Sequence, residues 1–135
     1  MIVDTSALLA YFDASEPHHE AVAEAIENSD EPLVLSPYVV AELDYLVATR
    51  VGVEAELAVI RELSSGAWDL ATVGTSELEQ AGSIVAKYRD QHVGVADASN
   101  VVLAHRHRTR TIATLDHRHF TVLRPINGGR FTIVP

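Results

Sequence analysis

Short apolar segments alternate with helical patterns along the whole chain. The apolar segments lie at 2–3, 33–35, 68–73, 111–114 and 130–134. Between them, apolar residues recur at helical spacing, and the predicted helices cover 7–12, 17–26, 37–50, 53–63, 75–88 and 95–108. Short apolar strands separated by helices are typical of a mostly parallel sheet. The pattern therefore predicts a three-layer α/β domain with helices on both faces.

Several helix boundaries have recognisable end signals. Ser36 followed by Pro37 is a capping residue followed by a favoured first helical residue. Pro17 is expected to occupy the same first position in its helix, and Gly52 is expected to end the helix that begins at Pro37. No repeat, linker or low-complexity segment divides the chain, so we expect one domain over residues 1–135.

Composition narrows the class of protein further. There is no cysteine, which excludes disulfides, thiolate chemistry and cysteine-ligated zinc or iron–sulfur sites. No basic segment leads into an apolar stretch at the beginning of the sequence, and Glu42 and Asp44 interrupt the apolar run 33–48. We expect a protein that is neither secreted nor membrane-spanning, with the cytoplasm as the default location.

Charge is distributed very unevenly. The formal net charge is −9, which excludes a protein that coats nucleic acid nonspecifically. Residues 1–100 sum to −14, whereas residues 101–135 sum to +5 and also hold four histidines. The basic residues of this last quarter either complement a helix end or form a surface that attracts anions. The basic side chains of the run 105–118 are His105, Arg106, His107, Arg108, Arg110, His117 and Arg118.

Four acids stand at or just beyond the predicted carboxyl ends of strands, where ligands bind in such sheets. They are Asp4, Glu42, Asp97 and Asp116, each preceded by apolar or uncharged residues. Taken singly, such an acid is more often structural, as a helix cap or a first-turn residue. Together they would repel one another by about 4 kcal/mol per close pair, so a shared crevice needs a cation. Oxygen ligands favour Mg²⁺ or Mn²⁺ over zinc.

Spacing alone does not separate Glu42 from Asp44, because both lie in an otherwise apolar helix with apolar neighbours on either side. The histidine pairs are weaker candidates for metal binding. His105 and His107 are two residues apart in a predicted helix, and His117 and His119 flank an arginine in a predicted loop.

Four motifs carry a resemblance to a known family. They read Ile-Val-Asp-Thr-Ser-Ala-Leu-Leu-Ala from position 2, Ser-Pro-Tyr-Val-Val-Ala-Glu-Leu-Asp-Tyr-Leu from 36, Val-Ala-Asp-Ala-Ser-Asn from 95 and Thr-Leu-Asp-His-Arg-His-Phe from 114. In this order and at these separations they resemble a PIN-domain ribonuclease. Within that family the chain is most similar to the VapC toxins of bacterial toxin–antitoxin pairs.

The resemblance implies a fold, a site and partners. The sheet order would be 3-2-1-4-5, and Asp4, Glu42, Asp97 and Asp116 would be the catalytic acids that bind Mg²⁺ or Mn²⁺, which selects Glu42 over Asp44. Ser6 and Thr114 would be hydroxyls beside the metal. The protein would be a metal-dependent endoribonuclease that cuts a loop of transfer or ribosomal RNA. It would form a homodimer and a larger complex with a VapB antitoxin that neutralises it.

Other functions fit the residues less well. A phosphatase of the haloacid-dehalogenase type needs a second aspartate where this chain has Ser6, and a receiver domain needs a lysine at a late strand end, whereas Lys87 lies in a predicted helix. A non-catalytic module that holds a basic peptide in the acidic crevice stays open. If the protein is a ribonuclease, Arg106, Arg108 and Arg118 are candidates for RNA binding. Their run lies between Asp97 and Asp116, so we expect it to border the crevice.

Overall fold

The computed structural model describes the chain from Met1 to Pro135. Five strands form one sheet: β1 (Ile2–Val3), β2 (Val34–Leu35), β3 (Asp69–Leu70), β4 (Thr111–Ala113) and β5 (Thr132–Val134). All neighbouring strands are parallel, and their order is β3-β2-β1-β4-β5, which confirms the predicted fold. Because the strands are parallel, their carboxyl ends meet at one edge of the sheet.

Helices cover both faces of this sheet. They are α1 (Thr5–Phe12), α2 (His19–Glu27), α3 (Pro37–Arg50), α4 (Val53–Leu63), α5 (Thr75–Lys87), α6 (Val95–Arg106) and α7 (His117–Phe120), with a 3₁₀ turn at Arg89–Gln91. None of the helices combines the length and the apolar character that crossing a membrane requires.

Strand alternation divides the core into two clusters. Val3, Leu35 and Ala113 face one side of the sheet, where they pack with buried residues of α1 to α4. Their neighbours Ile2, Val34 and Ile112 face the other side, towards α5 and α6. Successive side chains of a strand point to opposite faces, so even two-residue strands contribute to both cores.

Two serines fix the helices that lead into the site. Ser36 caps α3, since its Oγ accepts a hydrogen bond of 3.2 Å from the backbone N–H of Tyr38. The same Oγ lies 2.6 Å from Ser99 Oγ in the buried part of α6. This hydrogen bond joins α3 to α6, and these two helices carry Glu42 and Asp97.

Apart from shifts of one or two residues at element ends, the structure differs from the sequence-based elements at three places. Pro17 lies in a turn before α2, because the preceding residues form a turn in which Asp13 accepts hydrogen bonds from Ser15. The strand predicted at 68–73 is limited to Asp69–Leu70, an exposed edge strand that pairs only with β2. His117 and His119 are helical rather than in a loop, because Asp116 caps α7 by accepting the N–H of His119 at 3.1 Å.

Candidate active site

Asp4 is a buried carboxylate at the carboxyl end of β1, with 4% of its surface exposed. Its Oδ2 accepts hydrogen bonds from Ser6 Oγ at 3.0 Å and from Thr114 Oγ1 at 2.9 Å. Its Oδ1 accepts one from Asn100 Nδ2 at 3.1 Å. Burial raises the pKa of Asp4, and the hydrogen bonds from Thr114 and Ser6 oppose this rise only in part. The carboxylate is thus held in one orientation at a cost in desolvation.

Thr114 connects Asp4 to the next acid. Its Oγ1 donates to Asp4 and accepts the backbone N–H of Asp116 at 2.9 Å. Ser6 Oγ lies 3.0 Å from the same hydroxyl and accepts the N–H of Leu115 at 2.9 Å. The two hydroxyl side chains therefore lie next to Asp4 and tie the end of β1 to the end of β4.

Asp97 lies in the first turn of α6 and faces the same space, with 16% of its side chain exposed. Burial is the main reason why the pKa of Asp97 is raised to about 6, and the negative charges of Asp4 and Asp116 add to the rise. A positive charge on His119 opposes it. His119 Nδ1 lies 2.8 Å from Asp97 Oδ2 and 3.2 Å from Asp116 Oδ2, but without the alignment of a directed hydrogen bond. The imidazole thus sits between two carboxylates that repel each other.

Glu42 and Asp44 point to different places. Glu42 lines the cleft that contains Asp4, and its Oε2 accepts a hydrogen bond of 2.5 Å from Thr5 Oγ1. Asp44 faces α4, where partial desolvation and the contact with Asp44 raise the pKa of Glu56. The geometry therefore separates the two acids that spacing alone leaves equivalent.

These side chains meet in an open cleft of about 390 Å³. Its lining consists of Asp4, Thr5, Ser6, Leu9, Glu42, Leu46, His92, Gly94, Ala96, Asp97, Asp116 and His119. As the side chains stand, no three His, Asp or Glu residues are arranged to hold one ion. The chemistry of the donors nevertheless fits a hard divalent cation, because the four acids offer only oxygen ligands.

Thr5 and Asn100 are not among the sequence-based candidates, and His119 is among them only as part of a weak metal-binding pair with His117. Asn100 contacts Asp4, Thr5 contacts Glu42, and His119 contacts Asp97. The sequence does contain a signal for Asn100, because its amide lies among apolar residues of a predicted helix. In the structure, residues 98–104 of this helix are all buried. The positions of Thr5 and His119 depend on how α1 and α7 pack and have no comparable signal.

The basic run does not follow the crevice as expected. Arg106 lies at the far end of α6, where its Nη1 donates to Thr72 O at 2.7 Å and to Glu77 Oε1 at 3.2 Å. Arg108 lines a separate pocket before β4. The expectation was wrong for this part of the run because β4 crosses the sheet between Arg110 and Asp116. Arg118 alone of the three candidates lies next to a cleft residue, His119.

Comparisons with known proteins point to one family. The model of the PIN domain family matches residues 1–124. Ribonuclease VapC26 of Mycobacterium tuberculosis is 71% identical over 135 residues, which is the full length of both chains.

Solved structures share the fold at low sequence identity. The crystal structure of Mycobacterium tuberculosis VapC20, described as a sarcin–ricin loop cleaving toxin, matches with a TM-score of 0.79 at 20% identity, over 86% of this chain and 89% of that one. FitAcB from Neisseria gonorrhoeae matches with a TM-score of 0.58 at 20% identity, over 85% and 86%. With its fold, its four clustered acids and a relative identical at 71% of positions, the chain belongs to the PIN-domain family, among the relatives of the VapC ribonucleases.

Proposed function

We propose that this protein is a Mg²⁺- or Mn²⁺-dependent endoribonuclease toxin of the VapC type. The observation that carries the proposal is the cleft in which Asp4, Glu42, Asp97 and Asp116 come together. Burial, followed by the negative charges of Asp4 and Asp116, raises the pKa of Asp97 to about 6, so the ionised carboxylates of this cleft would gain from a nearby positive charge. A divalent cation would supply that charge, and the ribonuclease name of the relative identical at 71% of positions supports the same reaction.

The four acids would hold the metal, and their neighbours would keep them in place. When bound, the metal supplies a water of lowered pKa and neutralises the charge that develops on the phosphodiester during hydrolysis. Ser6, Thr114 and Asn100 fix both oxygens of Asp4, so this carboxylate needs no reorganisation when RNA arrives. Thr5 plays the corresponding role for Glu42.

The test of the reaction is cleavage of total RNA by the purified protein with Mg²⁺, with Mn²⁺ and with excess EDTA. We expect fragments with either metal, none with EDTA and none from Asp4→Asn. Cleavage in EDTA would contradict the metal mechanism. Absence of cleavage under every metal would leave the second candidate, a non-catalytic module for basic peptides.

We propose that the substrate is a structured RNA, namely a loop of a transfer RNA or of a ribosomal RNA. Because these RNAs are cytoplasmic, we also propose a cytoplasmic location. VapC20, described as cleaving the sarcin–ricin loop, makes that ribosomal loop the first substrate to test. Sequencing of RNA ends after brief expression of the wild type and of Asp4→Asn would locate the cut. New ends confined to the wild type would identify the target.

We further propose a VapB-type antitoxin as the partner. A larger groove of about 520 Å³ opens beside the acidic cleft, and Ser6, Leu9 and Leu46 line both. Most of its lining is apolar, with Phe12 and Val59 among the contributors. A segment with apolar side chains in the groove and a cationic side chain in the cleft would complement both surfaces.

Assembly into a homodimer, and then into a larger complex with the antitoxin, is part of the same proposal. Helices α3 and α4 and their connection expose apolar side chains at Tyr45, Val51, Val53, Leu57 and Ile60. Such surface commonly marks an interface.

Co-expression with the neighbouring reading frame should relieve toxicity, and proteolysis of the partner in the purified complex should restore cleavage. A complex that stays inactive after the partner has been digested would contradict inhibition by occupancy.

A further inference from the structure

We propose that a second, basic pocket at the amino end of β4 binds a backbone phosphate of the RNA several nucleotides away from the acidic cleft. The inference rests on the proposed ribonuclease function for the identity of the RNA. The pocket has a volume of about 490 Å³. It is lined by Ala104, His105, Arg108, Thr109, Arg110, Pro125 and Asn127.

The cationic side chains of this pocket have no acidic partner. No carboxylate lies within 4.0 Å of the side chains of His105, Arg108 or Arg110, whereas Arg106 is paired with Glu77. The acid in contact with the pocket lining is Glu31, which accepts a hydrogen bond from Thr109. Glu31 is already engaged by Thr111 at 2.8 Å and by the amino group of Met1 at 2.8 Å. Two arginines therefore remain available to an anion.

These arginines are not needed to complete the end of α6. The backbone N–H of Thr109 donates to Ala104 O at 3.0 Å and that of Arg108 to His105 O at 3.2 Å. Arg108 has the left-handed conformation, with φ of 54°, that this type of helix end requires. Because backbone groups already satisfy these carbonyls, the two guanidinium groups have no capping role that explains their position.

The guanidinium group of Arg110 lies against the turn before β5. Asn127 Oδ1 accepts a hydrogen bond of 3.4 Å from Arg110 Nη2. Gly129 has a φ of 87°, and a Cβ at this residue would collide with Arg110 Nη1. The glycine thus leaves room for the guanidinium of Arg110 beside this turn.

The distance between the two sites suits an extended polyanion. Helix α6 carries Asp97 near one end and the pocket residue His105 near the other, about 12 Å apart along the axis at 1.5 Å per residue. At about 3.4 Å of rise per nucleotide, this corresponds to about three to four nucleotides. Because the protein as a whole has a net charge of −9, a nucleic-acid backbone can lie only where basic side chains are grouped on the surface.

The test measures RNA binding in an Asp4→Asn background, so that the RNA stays intact. Salt titrations with a sarcin–ricin stem-loop RNA compare the background protein with Arg108→Asn, Arg110→Gln and their combination. Asparagine tolerates the left-handed conformation at position 108. Arg61→Gln, on the exposed face of α4, is the matched control for loss of one charge, and Arg110→Lys tests rescue by charge.

For each phosphate that the variant no longer neutralises, we expect the slope of log K against log salt to flatten by about 0.7 to 0.9, the values for single strands and duplex, with no change for Arg61→Gln. Shortening the stem by about four nucleotides should weaken binding by the background protein but not by the combined variant. An unchanged slope in the combined variant, with cleavage by the wild type intact, would overturn the pocket and leave the proposed function standing.

Two further outcomes would also contradict the inference. If the background protein does not bind the RNA at all, the pocket has no RNA to hold, and the cleavage assay of the wild type decides separately about the proposed function. If inorganic phosphate shifts the amide resonances of Asn127 and Gly129 but RNA length has no effect on affinity, the pocket takes a small anion instead of a backbone phosphate.

Discussion

The two ends of the sheet hold their charged side chains in opposite ways. At the carboxyl ends of β1 and β4, Asp4 is buried, receives three hydrogen bonds and stands next to other acids. At the amino end of β4, Arg108 and Arg110 are exposed and lack acidic partners. Burial of like charges at one end raises pKa values and favours a strongly bound cation. Exposed charges at the other end can give contacts that are weaker and sensitive to salt.

The largest effect is expected from Asp4→Asn. Loss of one carboxylate from the crowded end should reduce RNA cleavage by at least about 100-fold, in line with the loss of one well-placed electrostatic group at an active site. The fold should persist, because the amide is isosteric and removes a buried charge. Initial rates on a defined RNA and the circular dichroism spectrum provide the measurement. Activity within a few-fold of wild type would remove Asp4 from the metal-binding set.

Glu42→Gln and Asp44→Asn form a matched pair on one helix. Glu42 lines the cleft, so its variant should lose most turnover, by about 100-fold. Asp44 faces Glu56 on α4, so its variant should cleave like the wild type and gain slightly in stability from reduced repulsion. Equal losses of turnover in the two variants would contradict the assignment of Glu42 alone to the cleft.

Asn100→Ala tests a residue that supports the site without lining the cleft. Removal of the hydrogen bond to Asp4 Oδ1 should lower activity by about 10- to 100-fold, the range seen for groups that orient metal ligands. A weaker affinity for Mn²⁺, measured by calorimetry, would separate positioning from a purely structural role. The control Ser83→Ala removes an exposed hydroxyl of α5 that donates to Glu79 O and does not contact the site.

The crowded end should also make stability depend on pH in metal-free protein. The folded pKa of Asp97, about 6, is above the unfolded value near 3.8, so the folded state binds more protons between these values. Stability should therefore fall as pH rises from about 4 to 6, by about 1–3 kcal/mol, and stay low above that range. Urea titrations in EDTA should show this decline in the wild type and a flatter profile in Asp97→Asn. A decline of equal size in Asp97→Asn would mean that groups other than Asp97 cause the pH dependence.

The smallest effects distinguish two arginines of the basic run. Arg118→Gln, next to the cleft, should weaken RNA binding and flatten the salt slope by about 0.7 if it contacts one phosphate. Arg106→Gln should leave the slope unchanged and cost at most about 1 kcal/mol of stability, because its partners are Glu77 and Thr72 on the surface. A flatter slope for Arg106→Gln alone would reverse this assignment.

The pattern of apolar segments was sufficient for a parallel sheet and for the approximate place of the acids, whereas the strand order came from the family resemblance. Alternating apolar segments predicted the parallel sheet, and Ser36 with Pro37 predicted the start of α3. Parallel strands bring their carboxyl ends together, so acids that follow β1 and β4 were expected to meet there.

What the sequence could not supply were facts that depend on packing. The rotation of α3 decides between Glu42 and Asp44, and that rotation is set by contacts with α1 and α4. His119 enters the cleft only because Asp116 caps a helix of four residues. The basic run looked continuous because it is contiguous in sequence, whereas β4 carries the chain across the sheet in the middle of it.

Helix α6 has a consequence for how this chain can vary in length. Residues 98–104 are buried in succession, so the helix is fixed between neighbours on every side. Insertion of one residue there would rotate everything beyond it by about 100° and advance it by about 1.5 Å, which would break the register between Asp97 and the strand that follows. Tolerated insertions and deletions should therefore occur in exposed connections such as 13–18 and 64–67.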